Sequence, residues 1–217
     1  DHDRLRAYRK GRLVQALKKH DAAMCLLVNP ISLRYATEYR VYGLYQSHIP
    51  TTYAFVPQEG PVVMHGVYGP PPGADRVAPG HALNFFDGGE TITDGARLIA
   101  DDVVRYLKEL GTDNRRVAVE YVNPSLTQAL LQRGLEVIDG VLVSEAARVI
   151  KSADEIECIR WACAVAELGM AKLKEALKPG VTELQLWGLL NYTNLANNGD
   201  WHDGRMLASG PRINPWL

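Results

Sequence analysis

Two stretches of this 217-residue chain carry the side chains with most chemistry to offer. One is Arg205-Met206-Leu207-Ala208-Ser209-Gly210-Pro211-Arg212-Ile213-Asn214-Pro215-Trp216. The indole of Trp216 can donate one hydrogen bond and can pack its face on a cation, but it cannot exchange a proton near neutrality. It serves equally as a packed core aromatic. Arg212 can grip a carboxylate through a bidentate fork, or sit in a surface or interdomain ion pair. The other stretch is Tyr39-Arg40-Val41-Tyr42-Gly43-Leu44-Tyr45-Gln46-Ser47-His48, dense in aromatics. The remaining histidines, His2, His20, His65, His81 and His202, are scattered without His-x-x-x-His or carboxylate spacing. His202 with Asp200 and Asp203 reads as a weak ion site or a polar loop. Gly88-Gly89 lies in no phosphate-binding pattern, and no Ser or Cys nucleophile motif is evident.

The elements that must position these residues begin with a helix over Asp3 to Lys19, apolar at Leu5, Tyr8, Leu13, Ala16 and Leu17. The continuous apolar run Met24 to Val28, closed by Asn29-Pro30, predicts a buried strand and a turn, with a helix restarting over Ile31 to Ala36. Thr51 to Val56 and Val62 to His65 form a hairpin signal. Tyr68 to Pro72 is loop, Ala82 to Phe86 a further strand, and Asp94 to Leu110 a helix stopped by Gly111. Arg116 to Glu120 and Glu136 to Ile138 read as strands flanking a helix over Pro124 to Arg133. This alternation predicts an α/β domain with a mixed sheet flanked by helices over residues 1–150.

The character changes near Lys151. Ser152 can cap a long helix whose dipole Asp154 and Glu155 complement. Its stripe runs through Ile156, Ile159, Cys163, Ala166, Met170, Leu173 and Leu177. Lys178-Pro179-Gly180 ends it, a second helix starts at Thr182, and Arg205 to Ala208 reads as the first strand of a new sheet. Residues 151–217 thus form a second, incomplete α+β unit. The sheet edge it leaves is expected to be covered by further chain or by a partner.

Bulk properties narrow the function. With 47% hydrophobic residues a packed core is within reach, and the net charge of −1 offers no global field for nucleic acid or an anionic membrane. Arg4, Arg6, Arg9, Lys10 and Arg12 read as a solvated helix face. The three cysteines, Cys25, Cys158 and Cys163, form no CxxC pair, which points to a reducing, cytoplasmic compartment. No apolar run reaches the roughly 18–20 residues of a membrane span. No signal peptide is visible, although a chain opening on Asp1-His2-Asp3 leaves room for a leader ahead of it.

Two motifs are specific. Arg148-Val149-Ile150-Lys151-Ser152-Ala153-Asp154-Glu155-Ile156-Glu157-Cys158-Ile159-Arg160-Trp161-Ala162 resembles the R-x-I-K-S-x-x-E-I-x-x-I-R-x-A entry helix of the creatinase/prolidase/aminopeptidase P superfamily, the "pita-bread" metalloenzymes. Lys178-Pro179-Gly180-Val181-Thr182-Glu183 is similar to the K-P-G-x-T-E turn between the first two helices of that fold. The resemblance implies a creatinase-like amino-terminal domain followed by the start of a pita-bread catalytic domain. It also implies a homodimer with two divalent metal ions in the full-length protein, held by Asp, Asp, His, Glu and Glu ligands that all lie beyond the strand starting at Arg205. No metal is therefore expected on this chain. Metal-activated water and Lewis-acid polarisation are the chemistry such ions supply.

Peptidases of the superfamily usually carry Pro-His where this chain has Pro215-Trp216. The form Leu207-Ala208-Ser209-Gly210-Pro211-Arg212-Ile213-Asn214-Pro215-Trp216, with Gly199-Asp200-Trp201 upstream, resembles the bacterial dimethylsulfoniopropionate lyase branch. Trp216 and Arg212 then become substrate-pocket candidates. Because the region of Tyr42, Tyr45 and His48 can reach a partner's active site in this family, those three join them; the alternative is interface or core packing. The expected function is that of the amino-terminal part of a metal-dependent lyase or hydrolase acting on a small zwitterionic acid. The alternatives are an Xaa-Pro dipeptidase or aminopeptidase acting on dipeptides, and a non-catalytic dimerisation or binding domain.

Overall fold

A computed structural model of the chain describes residues 1–41, 43–200 and 207–210, with backbone alone at 44 and 45. It divides into two compact units, Asp1–Ser152 and Ala153–Leu217.

The first unit opens with helix α1 (His2–Lys19), capped by the Asp1 carboxylate on the Arg4 N–H. Strand β1 (Met24–Leu27) follows, with every residue buried. Asn29 caps helix α2 (Pro30–Thr37), with Pro30 in its first turn. A short helix α3 (Gly43–His48) leads into β2 (Tyr53–Pro57), β3 (Val63–His65) and β4 (Arg76–Ala78). Then come α4 (Phe85–Gly88), a 3-10 turn (Gly89–Thr91), α5 (Ile92–Glu109), β5 (Arg116–Val119), α6 (Pro124–Gln132), β6 (Glu136–Asp139) and α7 (Gly140–Arg148).

Among the described residues six strands form one sheet in the order β4-β3-β2-β1-β5-β6. It is mixed: β1 runs parallel to β5 and antiparallel to β2, β5 is parallel to β6, and β3 is antiparallel to β2 but parallel to β4. Met24, Leu26, Tyr53, Phe55, Val63, Val117 and Val119 face a core shared with α5 and α6. Cys25, Leu27, Ala54, Val56, Met64 and Ala118 face a second core with α1, α2 and α7. A sheet covered on both faces explains why β1 reads as an unbroken apolar run.

The mixed α/β expectation is met, with local differences. The strand expected over Ala82 to Phe86 does not form. Asn84 accepts the Asp87 N–H at 2.9 Å and starts α4, leaving Phe85 and Phe86 exposed. The short edge strand β4 and the helices α3 and α7 were not anticipated, although α7 buries Gly140, Val143, Ser144 and Ala147 at helical spacing. The α1 basic residues are more than a solvated face. Arg12 donates to the carbonyls of Ala146 and Ala147 at 3.0 and 3.2 Å, satisfying the end of α7. Arg6 pairs with Glu38 at 2.8 Å, and Arg9 stacks over Tyr35.

The second unit is a helix pair, α8 (Ala153–Ala176) and α9 (Glu183–Ala196). Thr182 and Gln185 close a reciprocal capping box at the start of α9. Gly169 is the close-contact point, because a Cβ there would lie 2.7 Å from Leu190 Cδ1. The predicted stripe residues Ile156, Ile159, Cys163, Met170 and Leu177 are exposed. Half of the strand expected over Arg205 to Ala208 lies outside the described residues, and Leu207 and Ala208 are in neither helix nor strand.

Candidate functional site

The parallel strands β1 and β5 end side by side, and a buried carboxylate occupies that junction. Glu120, the residue after β5, is 1% exposed. Its Oε2 accepts the N–H groups of Val28 at 3.2 Å and Asn29 at 3.1 Å, and its Oε1 accepts the Ser32 hydroxyl at 2.6 Å. Burial raises its pKa, opposed by hydrogen bonds from Ser144, Ser32 and the two backbone amides. Gly140 makes the junction close: a Cβ there would sit 2.7 Å from the Val119 carbonyl carbon. This cluster fixes the β1–α2 turn to the β5 end.

A second buried hub anchors the aromatic segment. Gln46, in α3, donates from Nε2 to the carbonyls of Val28 (3.0 Å) and Thr52 (2.7 Å). Its Oε1 accepts the Thr51 N–H at 3.1 Å and the Thr52 hydroxyl at 3.2 Å. All of its hydrogen-bonding groups are engaged, so Gln46 fixes α3 against the exit of β1 and the entry of β2. Of the sequence candidates in this segment, His48 is exposed and its Nδ1 lies 3.1 Å from Ser47 Oγ. Tyr42, Arg212 and Trp216 lie outside the described residues, and so does the side chain of Tyr45.

The polar cluster that sequence reasoning missed lies at the other end of the sheet. A cleft of about 610 Å³ runs between the β3–β4 edge and α5. Register sets its floor: Val63 pairs with Arg76 and His65 with Ala78, so these alternate residues share the face that α5 covers. His65 is 3% exposed, stacked on Tyr53 at 4.5 Å and tilted against Phe55 at 4.3 Å. Its Nδ1 lies 3.0 Å from the Pro79 carbonyl. Burial lowers its pKa to about 4, so the ring is neutral near pH 7, and a carbonyl only accepts. Nδ1 therefore carries the proton and Nε2 keeps a lone pair. That Nε2 is buried and has no hydrogen-bond partner among the described residues. The charges around the cleft are paired: Arg76 with Glu109 at 2.5 Å, Arg133 with Asp101 at 2.9 Å, and Asp102 with both His81, at 3.1 Å, and Arg105. The sequence signal was the alternation Tyr53/Phe55 and Val63/His65, which puts an imidazole among core aromatics.

Among the described residues no group of three or more His, Cys, Asp or Glu could hold a metal ion. No described helix is long and apolar enough to cross a membrane.

No protein-family model matches the chain. It is 32% identical over 228 residues to dimethylsulfoniopropionate lyase DddP of Roseovarius nubinhibens, a likeness covering 100% of this chain and 51% of that protein. It is 31% identical over 224 residues to the protein of the same name from Roseobacter denitrificans, covering 98% and 50%. The chain thus spans about half the length of the curated relatives it matches. Among solved structures, the Xaa-Pro dipeptidase of Bacillus anthracis superposes with a TM-score of 0.60 at 20% identity, covering 85% of this chain and 47% of that one. At such identity the likeness shows the fold. Likeness in sequence over the whole chain and likeness in fold agree, and together they support the resemblance to the creatinase/prolidase/aminopeptidase P, or pita-bread, superfamily.

Proposed function

We propose that this chain supplies the amino-terminal domain and first catalytic-domain helices of a homodimeric, metal-dependent pita-bread enzyme of non-peptidase type. That enzyme is a lyase or hydrolase acting on a small zwitterionic acid of the sulfonium or betaine kind. The supporting observation is that likeness to proteins named dimethylsulfoniopropionate lyase runs over 98–100% of the chain. Trp216 fits the reading, because an indole can face a cation but cannot relay a proton as a peptidase histidine does. The hubs at Gln46 and Glu120 suit a domain that holds the segment of Tyr42, Tyr45 and His48 in place, ready to contribute to a partner's substrate pocket. The three thiols are unpaired, in keeping with a reducing, cytoplasmic setting.

The test uses the intact protein containing this chain, loaded with a divalent metal and offered dimethylsulfoniopropionate and an Xaa-Pro dipeptide in parallel. NMR would follow consumption of each. Turnover of the sulfonium acid with the dipeptide left whole is expected. Cleavage of the dipeptide with no turnover of sulfonium or betaine-like acids overturns the reading.

The fold likeness to an Xaa-Pro dipeptidase supports a second reading, a peptidase that tolerates tryptophan here. Trp216→His then changes peptide cleavage little, whereas a large gain shows that the indole excludes it. A third reading, a dimerisation or binding domain without catalysis, concerns the 217-residue chain alone, and stoichiometric metal on that chain would contradict it. That chain should dimerise in light scattering, with neither stoichiometric metal nor turnover.

A further inference from the structure

We propose that the cleft between β4 and α5 binds a small aromatic or alicyclic molecule carrying an O–H or N–H donor, which His65 Nε2 accepts. The site lies wholly within the first unit and is independent of the metal chemistry proposed above.

Three observations carry this. The cleft, at about 610 Å³, falls within the roughly 300–1,000 Å³ usual for small-molecule sites. Its lining is apolar at Phe55, Val63, Leu98 and Tyr106, with the Phe55 and Tyr106 rings 5.4 Å apart and tilted at 45°. That geometry suits the edge or face of a flat ring. Finally, His65 lines the cleft while its Nε2 is buried and without a partner among the described residues. A buried acceptor left unmatched is costly, and a ligand donor entering from the cleft removes that cost. To reach the atom, the ligand must part the side chains that cover it.

The charges select against anions. Arg76, Arg105 and Arg133 are each engaged by a carboxylate, Glu109, Asp102 and Asp101 respectively. Among the described residues around the cleft no guanidinium is left over for a phosphate or carboxylate, so the recognised group is a donor and the rest of the ligand is apolar.

The test uses the 217-residue chain labelled with ¹⁵N and four probes: phenol, benzylamine, toluene and benzoate. Long-range ¹H–¹⁵N spectra report the His65 Nε2 resonance directly. Phenol or benzylamine is expected to move it toward a hydrogen-bonded position, and whichever binds more tightly identifies the donor type. Toluene should enter without moving it, and benzoate should bind least. His65→Phe keeps a ring against Tyr53 but removes the acceptor, and should weaken the favoured donor about five-fold while leaving toluene unchanged. Leu98→Trp, on the half-exposed face of α5, should block every probe. An Nε2 resonance unmoved by both donors overturns the proposal. So does equal donor affinity in the parent and His65→Phe, or binding insensitive to Leu98→Trp. Should His65→Phe fail to fold, the Nε2 resonance and Leu98→Trp still decide the matter.

Discussion

Two buried polar residues show how chemistry is spent on architecture in this chain. His65 is held neutral by burial, with a pKa of about 4 in the fold against 6.5 for a free imidazole. Between those values the unfolded chain takes up a proton that the folded chain refuses. The stability this contributes is therefore complete above pH 6.5 and is lost as pH falls toward 4, roughly 3 kcal/mol in all at about 1.4 kcal/mol per pH unit. Urea unfolding at pH 7 and pH 5 should show a steeper loss for the parent than for His65→Phe; equal losses would contradict the neutral buried ring. Glu120 is the other case. Glu120→Ala leaves the Val28 and Asn29 N–H groups and the Ser32 hydroxyl without their acceptor, and should cost about 3 kcal/mol. The check is a lower urea midpoint with an unchanged m-value. Neither role was legible in sequence, where Glu120 reads as the last residue of a strand and His65 as one scattered histidine among several. Their meaning comes from partners far along the chain: Glu120 meets residues 28–32, and His65 meets Pro79. The aromatic segment was recognised as special, but for Tyr42, Tyr45 and His48. Gln46, the residue that anchors it, carries no signal in a single sequence.

At the scale of elements, periodicity identified what was long or fully buried. The helices α1 and α5, the run Met24 to Leu27 and the α8–α9 pair all follow from spacing and caps. Short elements did not. The edge strand β4 has three residues, two of them exposed, too few for an alternation to register. Asn29-Pro30 was read as a turn, yet Asn caps and Pro occupies the first turn of α2, as Asn123-Pro124 does in α6. Helix α7 was missed although Gly140, Val143, Ser144 and Ala147 bury one face at helical spacing, because the helix is only nine residues long and follows β6 without a break. Its close approach to the β5 end is testable at Gly140, where any Cβ would press on the backbone of Val119 and Glu120. Backbone on both sides cannot yield as a flexible side chain does, so Gly140→Ala should destabilise the first unit by about 1–3 kcal/mol. Asn29→Ala removes the cap on the Ile31 N–H at 2.9 Å and should cost about 1 kcal/mol. Reversal of that order in thermal or urea unfolding would show that the strand–helix contact at Gly140 is looser than it looks.

For the whole molecule, the two units differ in how fully each buries its own apolar surface. Residues 1–152 contain all six described strands and the helical layers on both faces of the sheet, with two cores built from their own residues. A domain of this size with a sheet covered on both faces has enough buried area to fold by itself. The second unit leaves Ile156, Ile159, Trp161, Met170 and Leu184 exposed along its two helices. A helix pair of that kind gains little from its own packing. A fragment of residues 1–152 is therefore expected to unfold in one cooperative urea transition and to give dispersed amide spectra close to those of the same residues in the 217-residue chain. A fragment of residues 153–217 should show partial helicity, no cooperative transition and concentration-dependent association. Failure of the first fragment to fold would mean that the sheet domain depends on the helices that follow it, and the two units would then have to be treated as one folding entity. Cooperative folding of the second as a monomer would mean that its exposed apolar residues are not waiting for further chain. That would weaken the reading of residues 153–217 as the opening of a pita-bread domain.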